Sequence, residues 1–79
     1  MTSSITVYSA PWCGYCRIAK RFLDEHGVAY TAINIDEDEA AARRVEQWNH
    51  GNRTIPTLEI DGTILTNPPP ARLRDVLGL

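Results

Sequence analysis

The feature that most constrains this chain is a pair of cysteines, Cys13 and Cys16, placed where one structural pattern gives way to another. Residues 4–9 are rich in β-branched and aromatic side chains, which predicts a strand. Residues 14–26 repeat apolar side chains at helical spacing, which predicts an amphipathic helix. The apolar positions of that helix are Ile18, Ala19, Phe22 and Leu23. Both sulfurs are therefore expected at a junction between a strand and a helix.

The rest of the chain continues the alternation of strands and helices. The further predicted elements are a strand at 29–35, a helix at 38–50, strands at 56–60 and 63–66, and a last helix that one of the three prolines 68–70 can start. Asp36 is expected to cap the second helix, and Gly27 and Gly51 are expected to end the first and second helices. The Asp61-Gly62 pair between two alternating segments predicts a hairpin.

The order of these elements predicts one mixed sheet. A strand–helix–strand unit needs a right-handed crossover, so the first two strands are expected to be parallel. The hairpin then adds two antiparallel strands to the same sheet. The predicted fold class is α/β, with a four-stranded mixed sheet flanked by three helices in the order βαβαββα.

Length and charge narrow the class of protein further. The chain has 79 residues, so we expect a single domain over residues 1–79. A net charge of -2 argues against a sequence-independent nucleic-acid binder, because such a protein needs a basic face. No apolar segment approaches the roughly 18 residues of a membrane span, and no secretory signal is visible. We expect a cytoplasmic monomer that binds neither nucleic acid nor membrane.

The spacing of the two cysteines favours a reactive pair over a structural disulfide. A bridge between Cys13 and Cys16 would close a very short loop, which hardly restricts the unfolded chain. The thiolate is the nucleophilic form of cysteine, and helix N-termini lower cysteine pKa values from about 8.5 to roughly 3.5–7.5. Cys13 is expected at such an N-terminus, whereas Cys16 falls inside the first turn and is expected to be more buried and less ionised. The sequence thus predicts that Cys13 attacks and Cys16 resolves.

A metal site is the main alternative for the cysteines. A structural zinc site needs four ligands, and Cys13, Cys16, His26 and His50 are the available set. Both histidines end helices far from the cysteines in the predicted fold, so we predict no metal there. The acidic segment 36–39 is interpreted as a helix start matched to the helix dipole rather than as a metal site.

A second group of candidate residues is Thr54-Ile55-Pro56, where a proline opens a strand. A trans proline is the ordinary interpretation, because only about 5–6% of X–Pro bonds are cis. In the cis alternative, the Ile55 N–H and C=O turn outward and can pair with an extended disulfide substrate.

These motifs together resemble a known family. The segment 11–16, the Thr54-Ile55-Pro56 segment, the hairpin and the last helix are similar to the glutaredoxins over essentially the whole chain. More narrowly, segments 51–57 and 66–68 resemble the mycoredoxins, which are glutaredoxin-like proteins that serve low-molecular-weight thiols other than glutathione. The resemblance implies the thioredoxin fold, a cis peptide bond at Pro56, a nucleophile at Cys13 and a resolving thiol at Cys16.

One departure from the family bears on the small thiol. Glutaredoxins that use glutathione usually carry two glycines, a small polar residue and an acidic residue after the fourth strand, and that turn holds the γ-glutamyl end of glutathione. Here Leu65-Thr66-Asn67-Pro68 occupies the place. The resemblance therefore implies mycothiol or a similar thiol as co-substrate, in contact with Thr66 and Asn67, and no tightly bound cofactor. The alternative for Asn67 is a turn or helix-capping residue.

Charged side chains near the cysteines are candidate substrate contacts. Arg17 and Arg53 are expected to surround Cys13 with positive charge, which favours the thiolate and attracts an anionic thiol. Lys20 and Arg21 are interpreted as the solvated face of the first helix.

Two aromatic residues within the cysteine motif have open interpretations. Tyr15 either contacts the partner in the mixed disulfide or packs at the edge of the core. Trp12 either shapes the lip that presents the sulfur or is a partly exposed packing residue.

The predicted function is a thiol–disulfide oxidoreductase that reduces mixed disulfides between client proteins and a small thiol. A reductase of small-thiol disulfides or a thioredoxin reductase is an expected partner. One alternative is a redoxin that takes electrons from thioredoxin reductase and gives them to ribonucleotide reductase, although segment 67–70 replaces its aromatic–glycine segment. A second is an iron–sulfur cluster carrier, in which two chains and two small thiols supply four thiolates.

Overall fold

The computed structural model describes residues 4–79 and contains four strands and three helices in that range. Their bounds are β1 (Ile5–Ser9), α1 (Gly14–Glu25), β2 (Thr31–Asn34), α2 (Glu39–Trp48), β3 (Thr57–Ile60), β4 (Thr63–Thr66) and α3 (Pro70–Leu77). The predicted order βαβαββα is confirmed. Within the described part of the chain, none of the helices combines the length and the apolar character that crossing a bilayer requires.

The four strands form one sheet in the order β2-β1-β3-β4. β1 pairs with β2 in parallel, with Val7 opposite Ala32. On its other side β1 pairs with β3 in antiparallel register, with Val7 opposite Leu58, and β3 pairs with β4 across the hairpin. The predicted mixed sheet is therefore confirmed, and the strand that leads into the cysteines is central in it.

Alternating side chains of β1 serve two separate apolar clusters, because successive residues of a strand point to opposite faces of the sheet. On one face, Ile5 and Val7 pack in a cluster with side chains of α1 and α3. On the other face, Tyr8 packs in a cluster with side chains of α2. Helices thus cover both faces of the sheet, and α1, which begins beside the cysteines, is fixed by its buried Leu23.

The backbone conformation agrees with the sequence prediction at one helix end, one hairpin turn and one helix start. Gly27 directly follows His26, the C-capping residue of α1, and its φ of 64° is the left-handed conformation that glycine adopts without strain. Asp61 and Gly62 both have positive φ values, 49° and 87°, as a two-residue hairpin turn of type I′ requires. Pro70 is the first residue of α3, where a missing N–H costs nothing.

The prediction that Asp36 caps α2 was wrong. The capping residue is Asp38, whose carboxylate accepts a hydrogen bond from the Ala41 N–H at 3.0 Å. The Asp36 N–H donates to the side chain of Asn34, so the chain makes a turn before the helix starts at Glu39. Because the turn and the cap occupy residues 36–38, Glu39 is the one residue of the acidic segment 36–39 that lies in the first turn of the helix.

Two further boundaries and the burial of one residue differ from the sequence prediction. β2 is four residues long instead of seven, and as an edge strand it pairs with β1 alone. α2 ends at Trp48, and the residue after its cap that has a positive φ is His50, with Gly51 following it in the same region. Ile18 is 50% exposed although the pattern placed it in the core, because it lies on the flank of α1 away from Ala19 and Leu23.

Candidate functional site

Cys13 is the N-capping residue of α1. It has extended backbone angles, and its Sγ accepts a hydrogen bond from the Cys16 N–H at 3.2 Å. This is the role that serine or aspartate usually has at a helix start. The sulfur therefore lies at the positive end of the helix dipole and satisfies one of the N–H groups that the helix leaves free. The Cys13 residue is only 6% exposed.

Cys16 lies one turn into α1 and is completely buried. The pKa of the Cys16 thiol is raised from 9.0 to about 12. Burial is the largest cause of this rise, and the hydrogen bond with Cys13 and the charge of Cys13 contribute to it. A backbone hydrogen bond at Ala10 and the charge of Lys20 act in the opposite direction. The two sulfurs thus have different environments, as predicted, and both are free thiols.

Lys20, which the sequence analysis placed on the solvated face of the first helix, affects the site through its charge. Its side chain is half-buried and acts on Cys16. The sequence spacing already indicated this proximity, because Cys16 and Lys20 are four residues apart and residues i and i+4 are neighbours on a helix.

The second candidate segment meets the first at Ile55. The Ile55–Pro56 peptide bond is cis, as the family resemblance implied. The Cys13 Sγ lies 3.8 Å from the Ile55 carbonyl oxygen, at the outer limit of a sulfur hydrogen bond. Thr54 and Ile55 are half-buried, and Pro56 is buried beside them. A disulfide that reaches Cys13 therefore also reaches the Ile55 backbone.

The segment after β4 is tied to the same proline. The Asn67 N–H donates to the Pro56 carbonyl at 2.7 Å, and Asn67 has a φ of 45°. Both Thr66 and Asn67 are exposed. The alternative that Asn67 is a turn residue is therefore correct for its backbone, and its exposed carboxamide remains open to a ligand. The next three residues, 68–70, are prolines and carry no N–H.

Asn49 is a polar residue of this region that the sequence analysis missed. It follows α2, is 8% exposed, and its Nδ2 donates to the Thr57 hydroxyl at 3.1 Å and to the Val45 carbonyl at 2.9 Å. Its Oδ1 accepts a hydrogen bond from the Thr66 hydroxyl. The residue type and its place at a helix end were visible in the sequence, but its partners come from strands far along the chain.

Two large aromatic side chains flank Cys13 and are open to solvent. Tyr15 is 66% exposed, so the alternative of packing at the core edge was wrong. Trp12 is 68% exposed, and its indole Nε1 donates to the Asp36 Oδ2 at 2.8 Å. Exposed aromatic residues beside a buried sulfur form a contact surface for whatever brings a disulfide to it.

The two arginines have different surroundings. Arg17 is exposed and lies one turn after Cys13 in α1, without an ion pair to any residue of the described range 4–79. Arg53 donates to Glu39 at 3.0 Å and lies 3.3 Å from Glu46. The hydrogen bond with Glu46 and the charges of both carboxylates raise the pKa of Arg53. Its charge is therefore balanced by α2.

The described residues give no alternative site for a metal ion. Across residues 4–79, no three His, Cys, Asp or Glu side chains converge as ligands. His26 stacks on Phe22, with ring centroids 4.2 Å apart, and its Nδ1 lies 2.9 Å from the carbonyl oxygen of the same residue.

A capping sulfur at the start of a helix, a second buried sulfur one turn later and a cis proline beside them define a thiol–disulfide oxidoreductase. The family model described as Glutaredoxin matches residues 5–65. The chain belongs to the glutaredoxin family.

Curated relatives include proteins from two branches of this family. Mycoredoxin 1 of Corynebacterium glutamicum is 45% identical over 67 residues, which cover 84% of this chain and 82% of that protein. The glutaredoxin-like protein NrdH of Lactococcus lactis is 33% identical over 69 residues, which cover 87% of this chain and 93% of that protein. The predicted resemblance to glutaredoxins and mycoredoxins is confirmed.

Solved structures agree on the fold. The thioredoxin-like protein BC3987 superposes with a TM-score of 0.77 at 33% identity, covering 92% of this chain and 99% of that chain. The buckwheat glutaredoxin–glutathione complex superposes with a TM-score of 0.75 at 28% identity, covering 96% of this chain and 71% of that chain. The thioredoxin fold implied by the sequence is therefore confirmed.

Proposed function

We propose that this protein reduces mixed disulfides between client proteins and a low-molecular-weight thiol, with Cys13 as nucleophile and Cys16 as resolving thiol. The observation that carries the proposal is the position of the Cys13 sulfur, which accepts the Cys16 N–H at the start of α1. A negative sulfur gains from this hydrogen bond and from the helix dipole, and the thiolate is the form that attacks disulfides.

The first step exchanges one disulfide for another. The Cys13 thiolate attacks the sulfur of the small thiol, a new bond forms between these two sulfurs, and the client's sulfur leaves as a thiolate that takes a proton from water. The client is thereby reduced, and Cys13 carries the small thiol.

A second thiol must then release the small thiol from Cys13. A free small thiol attacks the mixed disulfide, or Cys16 attacks and leaves a disulfide between Cys13 and Cys16. Burial disfavours the Cys16 thiolate, whose pKa is raised to about 12 while Cys13 is free. Once Cys13 is in a mixed disulfide it carries no charge, so two of the causes that raise the pKa of Cys16 vanish. Burial, the largest of the causes, remains and still disfavours the Cys16 thiolate. We therefore expect the route through free small thiol to operate without Cys16.

The residues around Cys13 suit the binding of an extended disulfide. The Ile55 carbonyl oxygen, between Thr54 and Pro56, lies 3.8 Å from the Cys13 Sγ, so the Ile55 backbone can pair with the backbone of an extended disulfide bound at Cys13. Exposed Trp12 and Tyr15 provide apolar contacts on the client side. Arg17, one helical turn after Cys13, supplies a positive charge near the sulfur. Arg53 is a proposed substrate contact through its exposed side chain, although Glu39 and Glu46 balance its charge.

The segment after β4 favours mycothiol over glutathione. A γ-glutamyl end carries a carboxylate, and turns bind carboxylates through backbone N–H groups. Here the Asn67 N–H is already donated to Pro56, and residues 68–70 have no N–H to offer. The exposed Asn67 carboxamide can donate and accept, and the Thr66 hydroxyl, whose proton is donated to Asn49, can still accept. Both suit a ligand rich in hydroxyl groups, as the sugar and inositol end of mycothiol is.

The same chemistry sets the surroundings in which the protein works. Two free thiols act only where they are kept reduced, which favours the cytoplasm. The proposed partners are the small thiol, disulfide-containing client proteins and a reductase that regenerates the small thiol. The proposal needs one chain, residues 1–79 as a single domain, and no resident cofactor.

The deciding experiment names the thiol directly. The Cys16→Ser variant, isolated from its own cell under conditions that block thiol exchange, traps the small thiol on Cys13. Intact-mass and peptide-level mass spectrometry should give the mass of a mycothiol adduct on Cys13. A glutathione adduct would overturn the choice of thiol, and an unmodified Cys13 in a fully folded variant would overturn the mixed-disulfide mechanism.

The similarity to NrdH favours a second candidate function, a redoxin that takes electrons from thioredoxin reductase. This candidate needs no small thiol, so reduction of the Cys13–Cys16 disulfide by thioredoxin reductase and NADPH alone would support it. Segment 67–70, which replaces the aromatic–glycine segment of those redoxins, argues against it.

A further inference from the structure

A buried amide side chain joins the two segments that flank Cys13. Asn49 lies at the end of α2, is 8% exposed and does not contact either cysteine through a hydrogen bond in the described residues. Its side chain bonds to the start of β3 and to the end of β4. Each of those strand ends leads directly into a segment of the proposed binding site.

The hydrogen bonds run in one direction. The Thr66 hydroxyl donates to the Asn49 Oδ1, and the Asn49 Nδ2 donates to the Thr57 hydroxyl at 3.1 Å. The Thr57 hydroxyl in turn donates to the Thr54 carbonyl at 2.7 Å. The direction of each hydrogen bond is fixed, because an amide oxygen accepts and an amide nitrogen donates: the Thr66 hydroxyl donates, and the Thr57 hydroxyl accepts from Asn49 and donates to Thr54. Asn49 is the one member that bonds to both sides.

The relay is largely removed from water, which makes its geometry costly to change. Thr57 is fully buried, and Asn49 is more than nine-tenths buried. Buried polar networks whose members are all satisfied hold their partners rigidly, and a missing member leaves unpaired groups in the interior. Within residues 4–79, no buried side-chain nitrogen or oxygen lacks a partner.

We propose that Asn49 is a positioning residue for substrate binding, which sets the spacing between Thr54–Pro56 and Thr66–Asn67. It therefore governs the affinity for the small-thiol end of the mixed disulfide, whereas the sulfur chemistry at α1 does not depend on it. This inference rests on the proposed function, because it assumes a small thiol that contacts both segments.

The test removes the relay in two ways. Asn49→Ala deletes its centre. Thr57→Val keeps the volume of the buried side chain and deletes the hydroxyl, and Thr57→Ser keeps the hydroxyl. Asn52→Ala is the matched control, since this asparagine donates its side chain to the Asn49 backbone carbonyl at 3.1 Å and takes no part in the relay.

Three readouts separate positioning from a merely structural role. They are KM and kcat for a mixed disulfide between mycothiol and a peptide, and the rate at which iodoacetamide labels Cys13. In Asn49→Ala and Thr57→Val we expect KM to rise about tenfold, which corresponds to about 1.4 kcal/mol of binding free energy. The kcat and the labelling rate should stay within about twofold of wild type, and Thr57→Ser and Asn52→Ala should keep the wild-type KM.

The possible failures can be told apart. If wild type does not reduce the mycothiol–peptide disulfide, the proposed function fails and this inference with it. If wild type is active and the folded Asn49→Ala and Thr57→Val variants keep its KM, the inference alone fails. Parallel losses of kcat and of Cys13 labelling, or unfolding of both variants, would show that Asn49 maintains the fold rather than the spacing.

Discussion

The sulfur side of the site, residues 12–16, and its recognition side, residues 54–56 and 66–67, are held by different kinds of contact. The sulfur side rests on local contacts, since Cys13 caps the helix that contains Cys16, three residues away. The recognition side rests on contacts across the chain, in which Asn49 bonds to Thr66 and Asn67 to Pro56. One hydrogen bond at the Ile55 carbonyl joins the two sides.

This difference implies a division of work. A helix start fixes the charge state of a sulfur through its own dipole and N–H groups, so changes there should alter the rate of the chemical step. The spacing of distant segments fixes which thiol fits, so changes there should alter KM. Each of the following variants tests on which side a residue acts.

The largest effect is expected from exchanging the two sulfurs one at a time. Cys13→Ser should lower the rate of mixed-disulfide reduction by at least about 1,000-fold, because a hydroxyl is not ionised at neutral pH. Cys16→Ser should stay within roughly threefold of wild type when the small thiol is in excess. Steady-state assays with the mycothiol–peptide disulfide measure both, and an inactive Cys16→Ser would exclude the route through free small thiol.

The burial of Cys16 should make the fold sensitive to alkaline pH. In the unfolded chain this thiol ionises near 9.0, whereas in the fold its pKa is about 12, so the unfolded state binds fewer protons above pH 9. Stability is therefore unaffected below pH 8 and falls as pH rises, by about 2 kcal/mol between pH 8 and pH 10.5.

The control for this loss is Cys16→Ala, which lacks the titrating group. Urea unfolding of both proteins in reducing buffer, at a series of pH values, gives the difference in unfolding free energy. Wild type should lose more stability than Cys16→Ala above pH 9. Parallel curves would mean that the buried thiol does not control this pH range.

A smaller effect is expected from the contact between Trp12, on the sulfur side, and Asp36, in the turn before α2. Asp36→Ala removes the acceptor that holds the Trp12 indole at 2.8 Å. Because the pair is exposed, the net contribution of this hydrogen bond is about 0.5–1 kcal/mol, and KM for protein disulfides should rise about twofold to fivefold. Glu37→Ala changes the neighbouring exposed acid and should leave KM unchanged. Equal effects of both variants would assign the change to charge rather than to the position of Trp12.

The sequence predicted the sulfur side well because its determinants are local. A strand pattern, two cysteines and a helix pattern occupy consecutive residues, and they suffice to place Cys13 at a helix start and Cys16 in its first turn. The same holds for the hairpin at Asp61-Gly62, whose turn conformation is a property of those two residues.

The recognition side was predicted in outline only. The cis bond at Pro56 followed from the family resemblance, since the residues alone favour trans. Asn49 was not singled out, because its partners lie 8 and 17 residues away and their approach depends on the register of β3 and β4. The cap of α2 was misplaced for a local reason, since Asp36 and Asp38 can each cap a helix and the preceding turn decides between them.

Site-resolved alkylation tests the central claim most directly, because that claim concerns the charge on one sulfur and its absence from the other. Reduced wild-type protein is treated briefly with iodoacetamide at pH 7, and each cysteine is quantified by peptide mass spectrometry. Cys13 should react at least about tenfold faster than a cysteine in an unstructured peptide, while Cys16 stays unlabelled. Labelling of Cys13 at or below the peptide rate, or equal labelling of both cysteines, would contradict the account.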